Sequence, residues 1–236
     1  MAYNILTINP GSTSTKVALF HDLEEYKTLK LSHSAEEIAR FASVADQLEW
    51  RLEIILDALK ADGIELKSLD AVIGRGGLMR PIEGGVYRVG EAMIADLSAP
   101  KRQHASNLGA LIARRIADAA GVEAYIADPV VVDELQDMAR VSGLKEMPRR
   151  SIFHALNQKA IARRYAKESG RPYGVLNRVV VHMGGGISVS AHHLGRVIDT
   201  NNALDGDGPI APERAGTLPA GDLVDLCFSG KYEKAA

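Results

Sequence analysis

The 236-residue sequence holds a single cysteine, Cys227, so it has no internal disulfide framework and fits a reducing compartment. Cys227 lies among Leu223, Val224, Leu226 and Phe228, a setting that predicts a core thiol. No apolar run approaches the ~20 residues of a membrane span, and the start MAYNILTINPG lacks the basic, then apolar, layout of a secretory signal. Lys+Arg 28 against Asp+Glu 30, with no block of like charge, gives no electrostatic reason to expect nucleic acid or an anionic membrane as partner. A cytoplasmic protein is expected. There is no G-x-x-x-x-G-K-[ST], no complete G-x-G-x-x-G after a strand and no H-R-D or D-F-G, which removes the P-loop, Rossmann and protein-kinase readings.

What is present is 46% hydrophobic and 25% charged, an ordinary globular composition long enough for two small domains. Asn4–Asn9 and Lys16–Phe20 read as strands around the small-residue turn Pro10-Gly11-Ser12-Thr13-Ser14, with a third strand near Tyr26–Leu31. Ser34 and Glu37 form a capping-box signature ahead of apolar positions from Ile38 to Leu59, predicting one long amphipathic helix ending near Asp62-Gly63. A buried strand at Leu69–Ile73, a glycine-rich loop from Gly74 to Gly85, a helix over Asn107–Ala120 and a strand over Glu123–Ala127 complete a mixed sheet.

The opening pattern then recurs. Arg178–Met183, Gly184-Gly185-Gly186 and Ile187–His193 repeat the strand, small turn and strand, with Asn9 and His182 at matching places 182 − 9 = 173 positions apart. A helix over Ser151–Ser169 precedes this second hairpin and a short one around Asp222–Phe228 follows it. The second unit stops short of the first, which predicts an uncovered sheet edge and apolar face. Turns built from Gly, Ser and Thr at strand ends offer backbone N–H groups and hydroxyls with little bulk, which suits phosphate oxygens, although such turns also serve as plain connectors. His192 and His193 are adjacent on a strand and point to opposite faces, which argues against zinc.

Asn9-Pro10-Gly11-Ser12-Thr13-Ser14-Thr15-Lys16 resembles the first phosphate turn of the acetate and butyrate kinases, within the actin, sugar-kinase and Hsp70 superfamily. The likeness continues through Gly74-Arg75-Gly76-Gly77, Arg102 to Asn107, Ala127-Asp128-Pro129, Arg149 to His154, His182 to Ser188 and Pro212 to Gly216. Gln158, where acetate kinases carry His, and the Gly-Gly-Gly-Ile-Ser turn favour the butyrate branch.

The resemblance implies an α/β fold of duplicated actin-like (ribonuclease H-like) domains, 1–129 and 130–236, the second incomplete because family members run further. It implies reversible ATP-dependent phosphorylation of a short-chain carboxylate, with butyrate or a branched acid as acceptor, in a cleft closing about a hinge. Such a substrate is already ionised at pH 7, so charge cancellation matters more than a general base. By resemblance Arg75, Arg214, His154 and Asp128 are catalytic. Asn9, Ser12, Ser14 and Lys16 serve the first phosphate turn, His182, Gly184, Gly185 and Gly186 the second, and His104 braces the cleft. Mg²⁺ is implied with Asn9 and Asp128 near it, and the full-length family forms homo-oligomers. Two alternatives stay open: an inactive fragment acting as a binding module, and another superfamily sugar kinase or ATPase.

Overall fold

The computed structural model describes residues 2–100, 102–205 and 207–233, so the last three residues of the expected second domain lie outside the described residues. The chain forms two compact units, Met1–Val132 and Asp133–Ala236. The first opens with an antiparallel meander, β1 (Asn4–Pro10), β2 (Ser14–His21) and β3 (Glu24–Ser32). After the short α1 (Ala35–Ile38) and α2 (Leu48–Ala61) come β4 (Ala71–Arg75), β5 (Val86–Arg88), α3 (Glu91–Ser98), α4 (Asn107–Ala120) and β6 (Glu123–Ala127). The sheet order is β3-β2-β1-β4-β6-β5, with β4 parallel to β1 and to β6.

Its core follows from the apolar periods. Leu6 and Ile8 alternate along β1, and Val17 and Leu19 along β2; both pairs join a cluster with Leu52, Ile55 and Leu59 of α2 and Leu108, Ile112 and Ile116 of α4. α4 ends where Gly121 takes φ 78°, its N–H returning to the Ala117 carbonyl. The short β5 and α3, between the glycine-rich loop and α4, are additions to the expected order.

The single long helix does not form. The Ser34–Glu37 capping box is made, Glu37 N–H to Ser34 Oγ at 3.2 Å and Ser34 N–H to Glu37 Oε2 at 2.8 Å, yet α1 lasts four residues. A second cap restarts the chain: Ser43 donates to Asp46 Oδ2 from its N–H and its hydroxyl, both at 2.8 Å, ahead of the turn into α2. Phe41 packs against Trp50 with ring centroids 5.2 Å apart and planes tilted by 38°, tying the break to α2. Two competing caps therefore divide one apolar period.

The second unit carries α5 (Ala155–Glu168), an antiparallel sheet of β7 (Asn177–Met183), β8 (Ile187–His193) and β9 (Arg196–Thr200), and α6 (Ala220–Phe228). α5 starts four residues later than expected, leaving Ser151–His154 as an irregular segment before it. Among the described residues this sheet has three strands and ends at β7. The internal repeat shows what that leaves open. Leu6 and Ile8 are 0% and 1% exposed, whereas Val179 and Val181, 173 positions on, are 71% and 48% exposed. β4 pairs with β1 and α4 packs over it; no described strand pairs with that side of β7.

Cys227 is a correction. It is exposed, on a helix none of whose residues is buried. The apolar neighbours Leu223, Val224, Leu226 and Phe228 are equally exposed, so the pattern records a face suited to burial with nothing in the described chain upon it.

Candidate active site

The first small-residue turn is closed by the Gly11 N–H to the Ser14 carbonyl at 2.7 Å, with Asn9 paired to Lys16 across the strands. Asn9, Ser12 and Lys16 are exposed and Ser14 half-buried. Behind the turn lies a residue that sequence reading missed. Arg51 of α2 is 1% exposed, and its Nη1 donates to the Gly11 carbonyl at 2.9 Å and to Thr15 Oγ1 at 3.1 Å. Its Nη2 reaches the Ser12 carbonyl at 3.4 Å, and Gln47 Oε1 takes two further bonds, at 3.0 Å from Nε and 2.8 Å from Nη2. By engaging carbonyls at the back of the turn, Arg51 fixes the turn's shape. Every one of these acceptors is a neutral oxygen, and burial lowers the arginine's pKa. The available signal was an arginine at an apolar-face position of α2, between Leu48 and Ile55.

Arg75 is the last residue of β4. It is placed by two facing glycines: a Cβ on Gly74 would run into the Gly109 carbonyl and come within 2.9 Å of Ala110 N, and one on Gly109 would meet the Arg75 backbone. Arg75 Nη1 donates to Asn9 Oδ1 at 3.3 Å, joining two of the sequence-predicted residues, and burial lowers its pKa. Asp128 is 2% exposed with φ 37°, and exchanges two bonds with Gly85. Its N–H donates to the Gly85 carbonyl at 2.9 Å and its Oδ1 accepts the Gly85 N–H at 2.8 Å, so this carboxylate clips the glycine-rich loop to the end of β6. His104 Nδ1 bonds Ser106 Oγ at 2.7 Å and accepts the Ser106 N–H at 3.1 Å, just ahead of α4.

In the second unit His154 occupies the N-cap position of α5 and His182 is the last residue but one of β7, and their rings stack at 3.7 Å with planes 8° apart. Both present an edge to the second small turn: a Cβ on Gly184 would lie 3.0 Å from His182 Nε2, and one on Gly186 would lie 3.3 Å from His154 Cε1. Behind His154, Ser188 and Gln158 are fully buried and His192 is 2% exposed. His154 Nδ1 and Ser188 Oγ are 2.9 Å apart, Gln158 Nε2 donates to Ser188 Oγ at 2.8 Å, and Gln158 Oε1 faces His192 Nε2 at 3.2 Å. Burial, helped by the Lys159 and Arg178 cations and opposed by Glu134, pushes the His192 pKa down to about 4. Lys159 is itself paired with Glu134 in the interior, at 3.0 Å to both oxygens, and Glu134 also accepts the Val197 N–H.

Arg214 sits beside the same turn through its neighbour. The Glu213 N–H donates to the Gly185 carbonyl at 2.9 Å, and a Cβ on Gly185 would stand 2.7 Å from the Glu213 carboxylate. Arg214 Nη1 bonds the Glu213 carbonyl at 2.6 Å, and its Nε is buried with no hydrogen-bond partner. Glu213 is a second residue not singled out from the sequence. It sets a carboxylate against a turn expected to receive phosphate.

No protein-family model matches the chain. It is 58% identical over 233 residues to butyrate kinase 2 of Clostridium acetobutylicum, covering 98% of this chain and 65% of that protein. A probable butyrate kinase of Clostridium botulinum (strain Eklund 17B) is 53% identical over all 236 residues, 66% of its own length. Along nearly its whole length the chain is similar to butyrate kinases. It spans slightly less than two thirds of the length of these relatives, at 65% and 66%. Among solved structures, acetate kinase from Porphyromonas gingivalis superimposes with TM-score 0.75 at 18% identity, over 99% of this chain and 66% of that one. A propionate kinase from Francisella tularensis gives 0.70 at 16%, also over 99% and 66%. The chain thus has the α/β fold of these kinases over the part it spans.

Proposed function

We propose that the protein phosphorylates a short-chain carboxylate, butyrate or a branched acid, with ATP, reversibly, to give the acyl phosphate. The single observation that carries this is 58% identity, along 98% of the chain, to a protein named butyrate kinase. The geometry supplies groups of the right kind. Attack by a carboxylate on a γ-phosphate brings two anions together and needs fixed donors and positive charge more than a base. In the first unit we assign Asn9, Ser12, Ser14 and Lys16 to phosphate oxygens and Arg75 to the reacting anions, for which a guanidinium offers two parallel N–H groups. In the second, Gly184, Gly185 and Gly186 with His182 take phosphate, while His154 and Arg214 donate to the transferring group.

Mg²⁺ fits a site of few protein oxygens. Among the described residues no three His, Cys, Asp or Glu side chains cluster to hold a metal, and Mg²⁺ bound with nucleotide keeps several waters and takes few protein oxygens. Asn9 and Asp128 are the protein oxygens we assign to it. When bound it would neutralise phosphate charge. Among the described residues no helix is long and apolar enough to cross a membrane.

Trapping acyl phosphate with hydroxylamine, from ATP, Mg²⁺ and acids from acetate to isovalerate, tests the proposal. Product peaking at four carbons and lost in Arg75→Ala is expected. Folded protein giving no product with any acid overturns it for this chain, and phosphorylation of a sugar instead would transfer it to the sugar kinases.

A further inference from the structure

Directly behind His154 lies a buried chain of hydrogen bonds whose donors and acceptors can be assigned without seeing a proton, because one end of it is a backbone carbonyl. The Ser188 carbonyl can only accept, so the Gln158 atom 3.0 Å from it is Nε2 and the amide has one orientation. The same Nε2 donates to Ser188 Oγ at 2.8 Å, and the His154 backbone N–H approaches that oxygen at 3.3 Å. Both lone pairs of the hydroxyl are then taken, and its own proton needs an acceptor. His154 Nδ1 stands 2.9 Å away. It accepts, so the ring proton of neutral His154 is on Nε2. The other end agrees. Gln158 Oε1 can only accept, so His192 donates from Nε2, and its Nδ1, buried without a partner, is left as a bare nitrogen and not as an unsatisfied N–H.

We propose that Ser188, Gln158 and His192 are positioning residues that hold the His154 imidazole in its Nε2–H form, so that it meets an oxyanion at the Gly184–Gly186 turn as a neutral donor. The Nε2 edge is the one that faces this turn, since a Cβ on Gly186 would lie 3.6 Å from Nε2. Two further features oppose an imidazolium there. His154 occupies the N-terminus of a 14-residue helix, where positive charge is disfavoured, and its ring is stacked on another imidazole. A neutral N–H strengthens its bond as charge builds on the facing oxygen and keeps its proton throughout. With the proton on Nδ1, a lone pair would face the anion instead.

The role given to the turn rests on the kinase reading, but the proton assignment needs no substrate, so the two are tested separately. Long-range ¹H–¹⁵N correlation of histidine-labelled protein at pH 8, with His154 assigned by its loss in His154→Gln, reads the tautomer directly. A pure Nε2–H signature is expected in the wild type and in Ser188→Thr, which keeps the hydroxyl. Folded Ser188→Ala and Gln158→Met should lose that purity towards the mixed tautomers of free imidazole, and where activity is measurable kcat should fall with KM for ATP unchanged. An Nδ1–H signature in the wild type overturns the proposal even if neither variant folds, as does an unchanged signature in both variants. Failure of acyl-phosphate formation with the Nε2–H signature intact overturns only the kinase reading.

Discussion

Gly109→Ala should unseat Arg75 through its backbone, with its side chain unaltered. The helix α4 buries nine of its fourteen residues and lies on β4 with backbone against backbone at Gly74 and Gly109. A Cβ at 109 would sit 2.9 Å from Arg75 N and 3.1 Å from Arg75 C, with the carbonyl oxygen nearer still, whereas ordinary contact begins at 3.4 Å. Clearing the carbonyl requires the helix to lift by about 1 Å, enough to forfeit about a quarter to a half of each dispersion contact it makes there. Overpacking of this kind costs about 1–3 kcal/mol, and with rigid backbone on both sides the upper end applies. Helix propensity returns at most about 1 kcal/mol for Gly to Ala. The net loss of about 2 kcal/mol corresponds to a Tm fall on the order of 8 °C for a unit of this size.

Circular dichroism melts of Gly109→Ala beside Gly143→Ala, where an added Cβ meets nothing within 4 Å, make the comparison. The expected result is a lower Tm in the first alone, with carboxylate phosphorylation falling further than stability accounts for, because Arg75 moves with its strand. A Tm equal to or above wild type is what helix propensity alone predicts, and it would refute the argument from close approach.

Arg51→Met should cost about 2 kcal/mol in a urea titration, because the Gly11 and Ser12 carbonyls lose a buried donor. Arg51→Lys should not restore it, since an ammonium cannot span the two carbonyls and Gln47 together; full rescue by lysine would show that charge alone matters. Stability should fall as pH drops from about 6.5 towards 4. The folded state holds His192 neutral down to about pH 4 while the unfolded chain takes up the proton at the ordinary histidine value, so the unfolded state binds more protons in that window. The loss through His192 comes to about 2 kcal/mol by pH 5. His33, whose pKa is lowered by burial and by the Arg51 cation, acts in the same direction. Denaturation of His192→Gln at pH 7 and pH 5 should show a flatter slope than wild type, and equal slopes would place the titrating group elsewhere.

What could be read from the sequence was whatever short-range chemistry decides. The strand Glu123–Ala127 and the helix Asn107–Ala120 with its Gly121 stop are found as expected, because an apolar period and a left-handed glycine are local facts. The two hairpins were legible for the same reason, and their 173-residue spacing tied them together. The long helix failed where a second cap, Ser43 with Asp46, competed with the first, and no single cap announces which of two will win. Cys227 failed because burial belongs to partners and not to patterns: α6 has an apolar face and nothing described to bury it against. The site divides along the same line. A turn of small residues at a strand end announces itself by type, as Gly184–Gly186 did, whereas Arg75 was singled out only through the family resemblance. Arg51, Ser188 and His192 are recognisable only through what they touch from 30 to 40 residues away, and an arginine on an apolar helix face looks like an exception until the turn it grips is folded against it. The groups behind this site are therefore hidden from single-sequence reading by the sequence separation of their partners, whereas a small-residue turn at a strand end is not.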